Sequence, residues 1–197
     1  CACLIAACLC SLPLLQSRGW IIVAVGIPSL YLAYGYTGGP FPLAYLGLGE
    51  VFVILFFGLV AVGGSYFVQV GTWEWPAGVL GLQVGLLSAI LIAINNLRDV
   101  EEDRRSNKNT LAVRFGSVVI HRMITAFVIV AMMLSFLGGL YGASWFPVLS
   151  VPWFLIGLFC VRGVKASPPS QRYNRFLAIA AIQLMLFAML FTVAVSL

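Results

Sequence analysis

The residues best suited to chemistry in this chain lie in one polar stretch, 94–116. Four of the six acidic residues and five of the eleven lysines and arginines fall within it, whereas the rest of the sequence is almost uniformly apolar. Asn95, Asp99 and Asp103 recur every fourth residue, and four residues of helix advance by about 400°. The spacing therefore predicts that all three side chains project from nearly one helical face. Two carboxylates and an amide oxygen are hard ligands that suit a hard cation such as Mg²⁺.

A solvated helix face is the alternative interpretation of this stretch. Runs of alternating charge usually lie in water, and Glu101 with Arg105 fits a stabilising pair at i and i+4. However, the register of Asn95 continues into the apolar segment that ends at Ile94, at a depth where polar groups face a cavity or a partner. We therefore favour a face that holds a diphosphate through magnesium. Five nearby cations supply donors for phosphate oxygens: Arg98, Arg104, Arg105, Lys108 and Arg114.

The composition is that of a polytopic membrane protein. The mean hydropathy is +1.06, and only 9% of residues are charged, against about 25% in soluble domains. The net charge of +5 does not indicate a nucleic-acid partner, because the basic residues are spread over loops without an aromatic platform. Cys1, Cys3, Cys8 and Cys10 are interpreted as small apolar residues in a lipid-embedded helix rather than as a zinc or disulfide framework.

Apolar segments divide the chain into a helical bundle, since a spanning helix needs about 20 apolar residues. We predict an all-α fold, a polytopic transmembrane helical bundle, with residues 1–197 forming a single domain. The segment 37–49 is rich in Gly and Pro yet apolar, and we expect it to pack against the protein near the membrane interface. Residues 2–16 form a partial span, and six full spans cover residues 20–36, 47–70, 77–94, 118–140, 146–161 and 176–197.

The charge of the loops predicts the orientation in the membrane. The side that holds 94–116 also holds 36–49 and 162–175, and these segments together carry nine lysines and arginines. The opposite side carries Arg18 alone. Because basic loops favour the cytoplasm, we expect a multi-pass integral membrane protein with the polar stretch on the cytoplasmic side.

Two motifs resemble those of the UbiA superfamily of intramembrane prenyltransferases. The stretch N-N-L-R-D-V-E-E-D-R-R-S-N-K-N-T-L-A-V-R-F-G looks like the second aspartate-rich motif of that superfamily. The stretch Y-T-G-G-P-F-P-L-A-Y-L-G-L-G-E, with the apolar run after it, resembles the menaquinone branch, the 1,4-dihydroxy-2-naphthoate polyprenyltransferases. The resemblance implies nine transmembrane helices, of which about seven are present. Nothing before residue 94 reads as the first motif, N-x-x-x-D-x-x-x-D, and no Asp occurs there. We expect this first motif upstream of Cys1 together with the N-terminal helices.

This resemblance implies that the complete enzyme transfers a polyprenyl group from an allylic polyprenyl diphosphate to 1,4-dihydroxy-2-naphthoate, with Mg²⁺ as cofactor. Magnesium and cationic side chains would stabilise the leaving diphosphate, and the aromatic ring would attack the allylic cation. A cavity roofed by apolar helices would exclude water, and the lipid bilayer would surround the isoprenoid tail. The expected metal ligands are Asn95, Asp99 and Asp103, with Asn96 a weaker candidate about 100° off their face. The expected diphosphate contacts are Arg98 and Lys108, and Asn95 and Asn96 are also expected to contact the substrate.

Glu50 is the other acid for which we predict a chemical role. It opens a span on the side of the polar stretch, where it is expected to orient or deprotonate a ring hydroxyl. The alternative is a carboxylate that only complements a helix N-terminus. Tyr36 and Tyr45 are expected to line the site of the aromatic acceptor, or else to belong to an interfacial aromatic belt.

Three other functions stay open on the sequence alone. The first is a related prenyltransferase with a different aromatic acceptor, and the second is an inactive fragment, because one of the two aspartate-rich motifs is missing. The third is a transporter with a charged cytoplasmic gate. The sequence disfavours a transporter, because its strong polar cluster lies on one side of the membrane and no acid lies in the middle of a span.

Overall fold

Helices form nearly all of the regular structure in the computed structural model of the protein, which describes residues 2–36, 38 and 42–197. These residues include no strand, so the all-α prediction is confirmed. Cys1 and four residues of the predicted interfacial loop, Thr37, Gly39, Pro40 and Phe41, lie outside the described part. The helices are α1 (Ala2–Arg18), α2 (Ile21–Gly35), α3 (Gly49–Val70), α4 (Trp75–Arg98), α5 (Val100–Arg105), α6 (Leu111–Ser135), α7 (Phe146–Ala166) and α8 (Tyr173–Ser196).

Five helices of the described part are long and apolar enough to cross a membrane, namely α3, α4, α6 with its 3-10 extension to Tyr141, α7 and α8. The prediction of six full spans is wrong for residues 20–36, because α2 has only 15 residues and ends at Gly35. Such a helix rises by about 22 Å, which is short of the ~30 Å hydrocarbon core.

The basic loop near the C-terminus is shorter than predicted. Helix α7 continues to Ala166 and α8 begins at Tyr173, so the loop covers residues 167–172 rather than 162–175. Lys165 lies in the last turn of α7. A positive charge there interacts favourably with the helix dipole, which explains why the helix continues through basic residues.

Helix α4 is the centre of the bundle and packs against α3, α6 and α8. The side-chain amide of Gln83 in α4 donates hydrogen bonds to the carbonyl oxygen of Ala131 (2.9 Å) and to the hydroxyl of Ser135 (3.0 Å), both in α6. On the opposite side of the bundle from the polar stretch, Arg18 donates to the carbonyl oxygens of Val68 and Gln69, each at 2.8 Å. These polar contacts fix the neighbours of α4 in a surrounding that offers few other partners.

Glycines allow α3 and α4 to approach closely. A Cβ atom on Gly85 of α4 would lie 2.7 Å from the carbonyl oxygen of Ile54, and one on Gly81 would lie 3.0 Å from that of Gly58. Small residues at such contacts let two backbones meet, which is how helices associate in membranes. The middle of α3, Ile54–Gly63, is a π-helix. The contact brings the first turn of α3 beside the last turns of α4.

Candidate active site

The polar stretch is not one continuous helix. Helix α4 ends at Arg98, α5 begins at Val100, and Asp99 between them has φ −97° and ψ 10°. Backbone hydrogen bonds nevertheless bridge the break. The Asp99 amide donates to the carbonyl oxygen of Asn95 at 3.1 Å, and the Asp103 amide donates to the carbonyl oxygen of Asp99 at 2.8 Å. The predicted four-residue spacing is therefore kept, but the helix that was expected to present it is interrupted at Asp99.

Asn95 and Asp99 belong to one cluster, which is centred on Arg98. The guanidinium of Arg98 donates to both carboxylate oxygens of Asp99, at 2.7 Å each, and to Oδ1 of Asn95 at 2.8 Å. A fourth hydrogen bond, of 2.6 Å, joins Nη1 of Arg98 to Oδ1 of Asn174 in α8. We call these four residues the Arg98 cluster. Asn174 was not among the residues predicted from the sequence. The one indication of a role was its position beside the basic loop, in the first turn of α8.

Asp103 belongs to a different arrangement. Its Oδ1 atom accepts a hydrogen bond of 3.0 Å from Nζ of Lys108, and the Lys108 backbone amide donates to the Asp103 carbonyl oxygen at 2.8 Å. Asp103 is buried, and its Oδ2 atom has no hydrogen-bond partner in the described part of the chain. The ion pair closes the loop 106–110, in which Asn107 adopts a positive φ of 56°.

Five predicted site residues meet in a cavity of about 260 Å³ between the ends of α2, α3 and α4. We call it the Glu50 cavity. It is partly enclosed by the loops 42–48 and 106–110, which are joined where the Asn109 amide donates to the Tyr45 carbonyl oxygen at 3.1 Å. The predicted residues that line it are Tyr36, Tyr45, Glu50, Asn96 and Lys108.

Glu50 is the buried acid of this cavity, with 2% of its surface exposed. Its Oε1 atom accepts a hydrogen bond of 3.0 Å from Nδ2 of Asn96, which is 3% exposed. Its Oε2 atom is buried and accepts no hydrogen bond from any described residue. Burial, and then the negative charge of Glu50, raise the pKa of Tyr36 above its ordinary value of 10.0. The Tyr36 phenol is therefore a neutral donor at physiological pH.

Two apolar cavities of about 460 Å³ each adjoin the Glu50 cavity. One lies between α2 and α3 and shares Tyr36 with the Glu50 cavity, and the other lies between α3, α4 and α8 and includes Asn95. Ile92 lines all three cavities. A single aliphatic side chain thus stands where the polar space and the two apolar spaces meet.

The site residues therefore fall into two groups. Asn95, Arg98 and Asp99 do not line the Glu50 cavity, and Asp103 is connected to it through Lys108. The donor chemistry fits Mg²⁺, which prefers oxygen ligands and keeps waters and substrate phosphates around it. Within the described residues no three His, Cys, Asp or Glu side chains group together as a metal site. The oxygen donors available to the ion are Oδ1 of Asn95 and the carboxylate of Asp99, which accept hydrogen bonds from Arg98, and Oδ2 of Asp103, which has no partner among the described residues. An ion at Asn95 and Asp99 would compete with Arg98 for these oxygens.

Comparison with a family model and with individual known proteins points to the same protein family. The model of the UbiA prenyltransferase family matches residues 1–195. A 1,4-dihydroxy-2-naphthoate octaprenyltransferase from Mycobacterium leprae is 36% identical over 161 residues, which are 82% of this chain and 49% of that protein. One of the same name from Haemophilus influenzae is 43% identical over 93 residues, which are 47% of this chain and 30% of that protein.

A relative whose name states a different activity also matches this chain. The 2-carboxy-1,4-naphthoquinone phytyltransferase from Synechocystis is 29% identical over 169 residues, which are 83% of this chain and 55% of that protein. The chain thus spans about half the length, or less, of these three relatives. No solved structure gives a significant match.

Proposed function

Because the chain belongs to the UbiA prenyltransferase family, we propose that the complete protein is a membrane enzyme of menaquinone or phylloquinone biosynthesis. It transfers a polyprenyl group from an allylic polyprenyl diphosphate to 1,4-dihydroxy-2-naphthoate. The names of the relatives support a naphthoate-derived acceptor and a long isoprenoid donor. The structural observation that carries the proposal is the meeting of the Glu50 cavity with two apolar cavities at Ile92, because the reaction must bring a polar ring against an apolar chain.

Each substrate has a complementary region. The isoprenoid tail occupies the apolar cavity beside Asn95, and the diphosphate lies at the Arg98 cluster. There Arg98 supplies positive charge and the one N–H group that its four hydrogen bonds to Asn95, Asp99 and Asn174 leave over. The ring lies in the Glu50 cavity, with Tyr36 and Tyr45 beside it. Lys108 supplies a second cation between Asp103 and the ring. This placement is supported by the lining of the cavities and by the charges around them.

The reaction begins with cleavage of the bond between the allylic carbon and the diphosphate oxygen. Both bonding electrons leave with the diphosphate, and Arg98 and Lys108 stabilise the negative charge. Asn95, Asp99 and Asp103 would hold magnesium, which would supply further positive charge at the diphosphate. The π electrons of the ring form the new carbon–carbon bond to the allylic cation. A ring hydroxyl gives its proton to Oε2 of Glu50, which leaves a keto tautomer. Glu50 then returns the proton to the keto oxygen while the attacked carbon releases its own proton, so the ring becomes aromatic again.

The apolar walls protect this chemistry from water. An allylic cation reacts with any nearby nucleophile, so a cavity bounded by aliphatic and aromatic side chains favours attack by the ring. We also propose that the protein lies in the plasma membrane of a bacterium, because relatives from Haemophilus influenzae, Mycobacterium leprae and Synechocystis match it. The nine lysines and arginines on the side of the polar stretch support a cytoplasmic location of that stretch.

The test uses the full-length protein in lipid vesicles, supplied with Mg²⁺, a polyprenyl diphosphate and 1,4-dihydroxy-2-naphthoate. We expect a prenylated naphthalene product and release of one diphosphate for each product. A benzoate and a chlorophyllide offered in parallel distinguish another acceptor class. Product with one of these and none with the naphthoate would overturn the proposed acceptor, and vesicle uptake of a substrate without diphosphate release would favour a transporter.

A further inference from the structure

Asn95 and Asn96 are adjacent and chemically identical, yet they have different partners. Asn95 accepts a hydrogen bond from Arg98 and donates one of 3.4 Å to Asp99. Asn96 instead donates to the buried carboxylate of Glu50, 46 residues earlier in the chain. Successive residues of a helix point about 100° apart, so the two amides serve the two separate groups of the site.

We infer that Asn96 is a positioning residue, which acts on the aromatic acceptor by holding Glu50 so that Oε2 receives a ring hydroxyl. Asn96 then touches neither the diphosphate nor the metal. The inference deepens the proposed function and rests on it. It differs from the sequence prediction, in which Asn96 was a weaker candidate for the metal-binding face and was expected to contact the substrate directly.

The carboxylate of Glu50 is buried and must therefore find hydrogen-bond donors within the protein or on a ligand. An ionised acid removed from water requires hydrogen-bond donors, and an unmet requirement is costly. Asn96 supplies a donor to Oε1, whereas Oε2 has none from the described residues. Oε2 of Glu50 is therefore suited to a ligand that brings its own hydrogen-bond donor. A neutral ring hydroxyl is such a group, and a diphosphate oxygen is not.

The other ionisable groups near Glu50 leave this assignment intact. The ammonium group of Lys108 lines the same cavity, but it is already hydrogen-bonded to Asp103 at 3.0 Å. The phenol of Tyr36 lies beside Gly49, the residue before Glu50, since the phenol oxygen would be 3.1 Å from a Cβ atom on Gly49. Among the described side chains, the hydrogen bond that fixes the carboxylate of Glu50 comes from Asn96.

The experiment compares Asn96→Leu with Asn95→Leu in the full-length protein, as two matched changes on neighbouring residues. KM for the naphthoate, KM for the polyprenyl diphosphate and the Mg²⁺ concentration for half-maximal rate are measured separately. We expect Asn96→Leu to lower kcat/KM for the naphthoate by about 10- to 100-fold, the usual effect of a lost hydrogen bond to a charged group. The other two quantities should stay within about twofold. Asn95→Leu should show the opposite pattern, with a higher requirement for Mg²⁺.

A double variant separates positioning from general structural damage. In the Glu50→Gln background, Asn96→Leu should change kcat/KM by less than about twofold, because residues that act as a unit are not additive. Independent, multiplying effects would overturn the inference, and so would an Asn96 variant that changes the Mg²⁺ requirement. Asn96→Asp, of the same size but without the amide donor, covers the case in which the leucine variant does not fold. A wild-type protein without naphthoate prenylation would instead refute the proposed function.

Discussion

Nη1 of Arg98 in α4 donates a hydrogen bond of 2.6 Å to Oδ1 of Asn174 in the first turn of α8. The same guanidinium holds Asp99 and Asn95. Because a guanidinium is planar and rigid, the start of α8 fixes the orientation of two predicted metal ligands on α4. Helix α8 therefore influences the proposed diphosphate region through the uncharged side chain of Asn174.

Replacing Asn174 should weaken binding of the prenyl diphosphate. Asn174→Ala removes one partner of Arg98, and a neutral partner of a charged group contributes enough to raise KM for the diphosphate by about three- to tenfold. Steady-state kinetics of the full-length protein measure this. Gln171→Ala is the control, because Gln171 bonds to Asn174 but not to Arg98. Equal effects of the two changes would argue against orientation of Arg98 by Asn174.

Loss of either aspartate of the polar stretch should abolish prenyl transfer while the protein remains folded. Asp99→Ala and Asp103→Ala each remove a predicted ligand, and kcat should fall by about 100-fold or more, as for other lost electrostatic stabilisation of a transition state. Product formation is followed in vesicles with unfolding monitored in parallel. Glu101→Ala is the matched control, since Glu101 is exposed and its ion-pair partner among the described residues is Arg104, at 3.3 Å. Retained turnover in both aspartate variants would refute the assignment.

A methyl group at the contact between α3 and α4 should destabilise the protein. In Gly85→Ala the new Cβ atom would lie 2.7 Å from the carbonyl oxygen of Ile54, so the helices must move apart. Overpacking of this kind costs about 1–3 kcal/mol, and the displacement should also weaken the hydrogen bond between Glu50 and Asn96. Thermal unfolding in detergent measures the first effect. Gly78→Ala, in the same helix with no atom within 4 Å of its Cβ, should be neutral or slightly stabilising.

Changing the volume of Ile92 should alter which substrates react. Ile92→Ala joins the polar cavity more widely to its apolar neighbours, so bulkier aromatic acceptors should gain relative to the naphthoate. Ile92→Phe narrows the junction and should lower kcat for all acceptors. Competition between acceptors of different size gives the ratio of kcat/KM values directly. Leu91→Ala, which enlarges only the cavity beside Asn95, should leave acceptor preference unchanged.

Local spacing in the sequence predicted much of this site. The recurrence of Asn95, Asp99 and Asp103 marked the polar stretch, and backbone hydrogen bonds do connect these residues. The interruption at Asp99 was not predicted, because it depends on the dihedral angles of this one residue. Spacing on one helix describes a face, but it does not show where the helix ends.

Contacts between distant segments were harder to predict. Glu50 was recognised as an acid at the start of a span, but its pairing with Asn96 depends on the glycine-mediated approach of α3 to α4. Asn174 carries no motif, and its role follows only from the position of α8 beside Arg98. The length of α2 was overestimated because an apolar segment does not reveal where the backbone leaves the helix.

The loops over the Glu50 cavity are joined through their main chains, by the Asn109 amide and the Tyr45 carbonyl oxygen. Such a bond does not depend on which side chains stand at those two positions, so both can diverge in evolution while the cover stays closed. Gly47 has no such freedom, because its φ is +70° and a Cβ atom would lie 2.6 Å from the Asn109 carbonyl oxygen. The side chains that line the cavity can thus be replaced without breaking this main-chain junction.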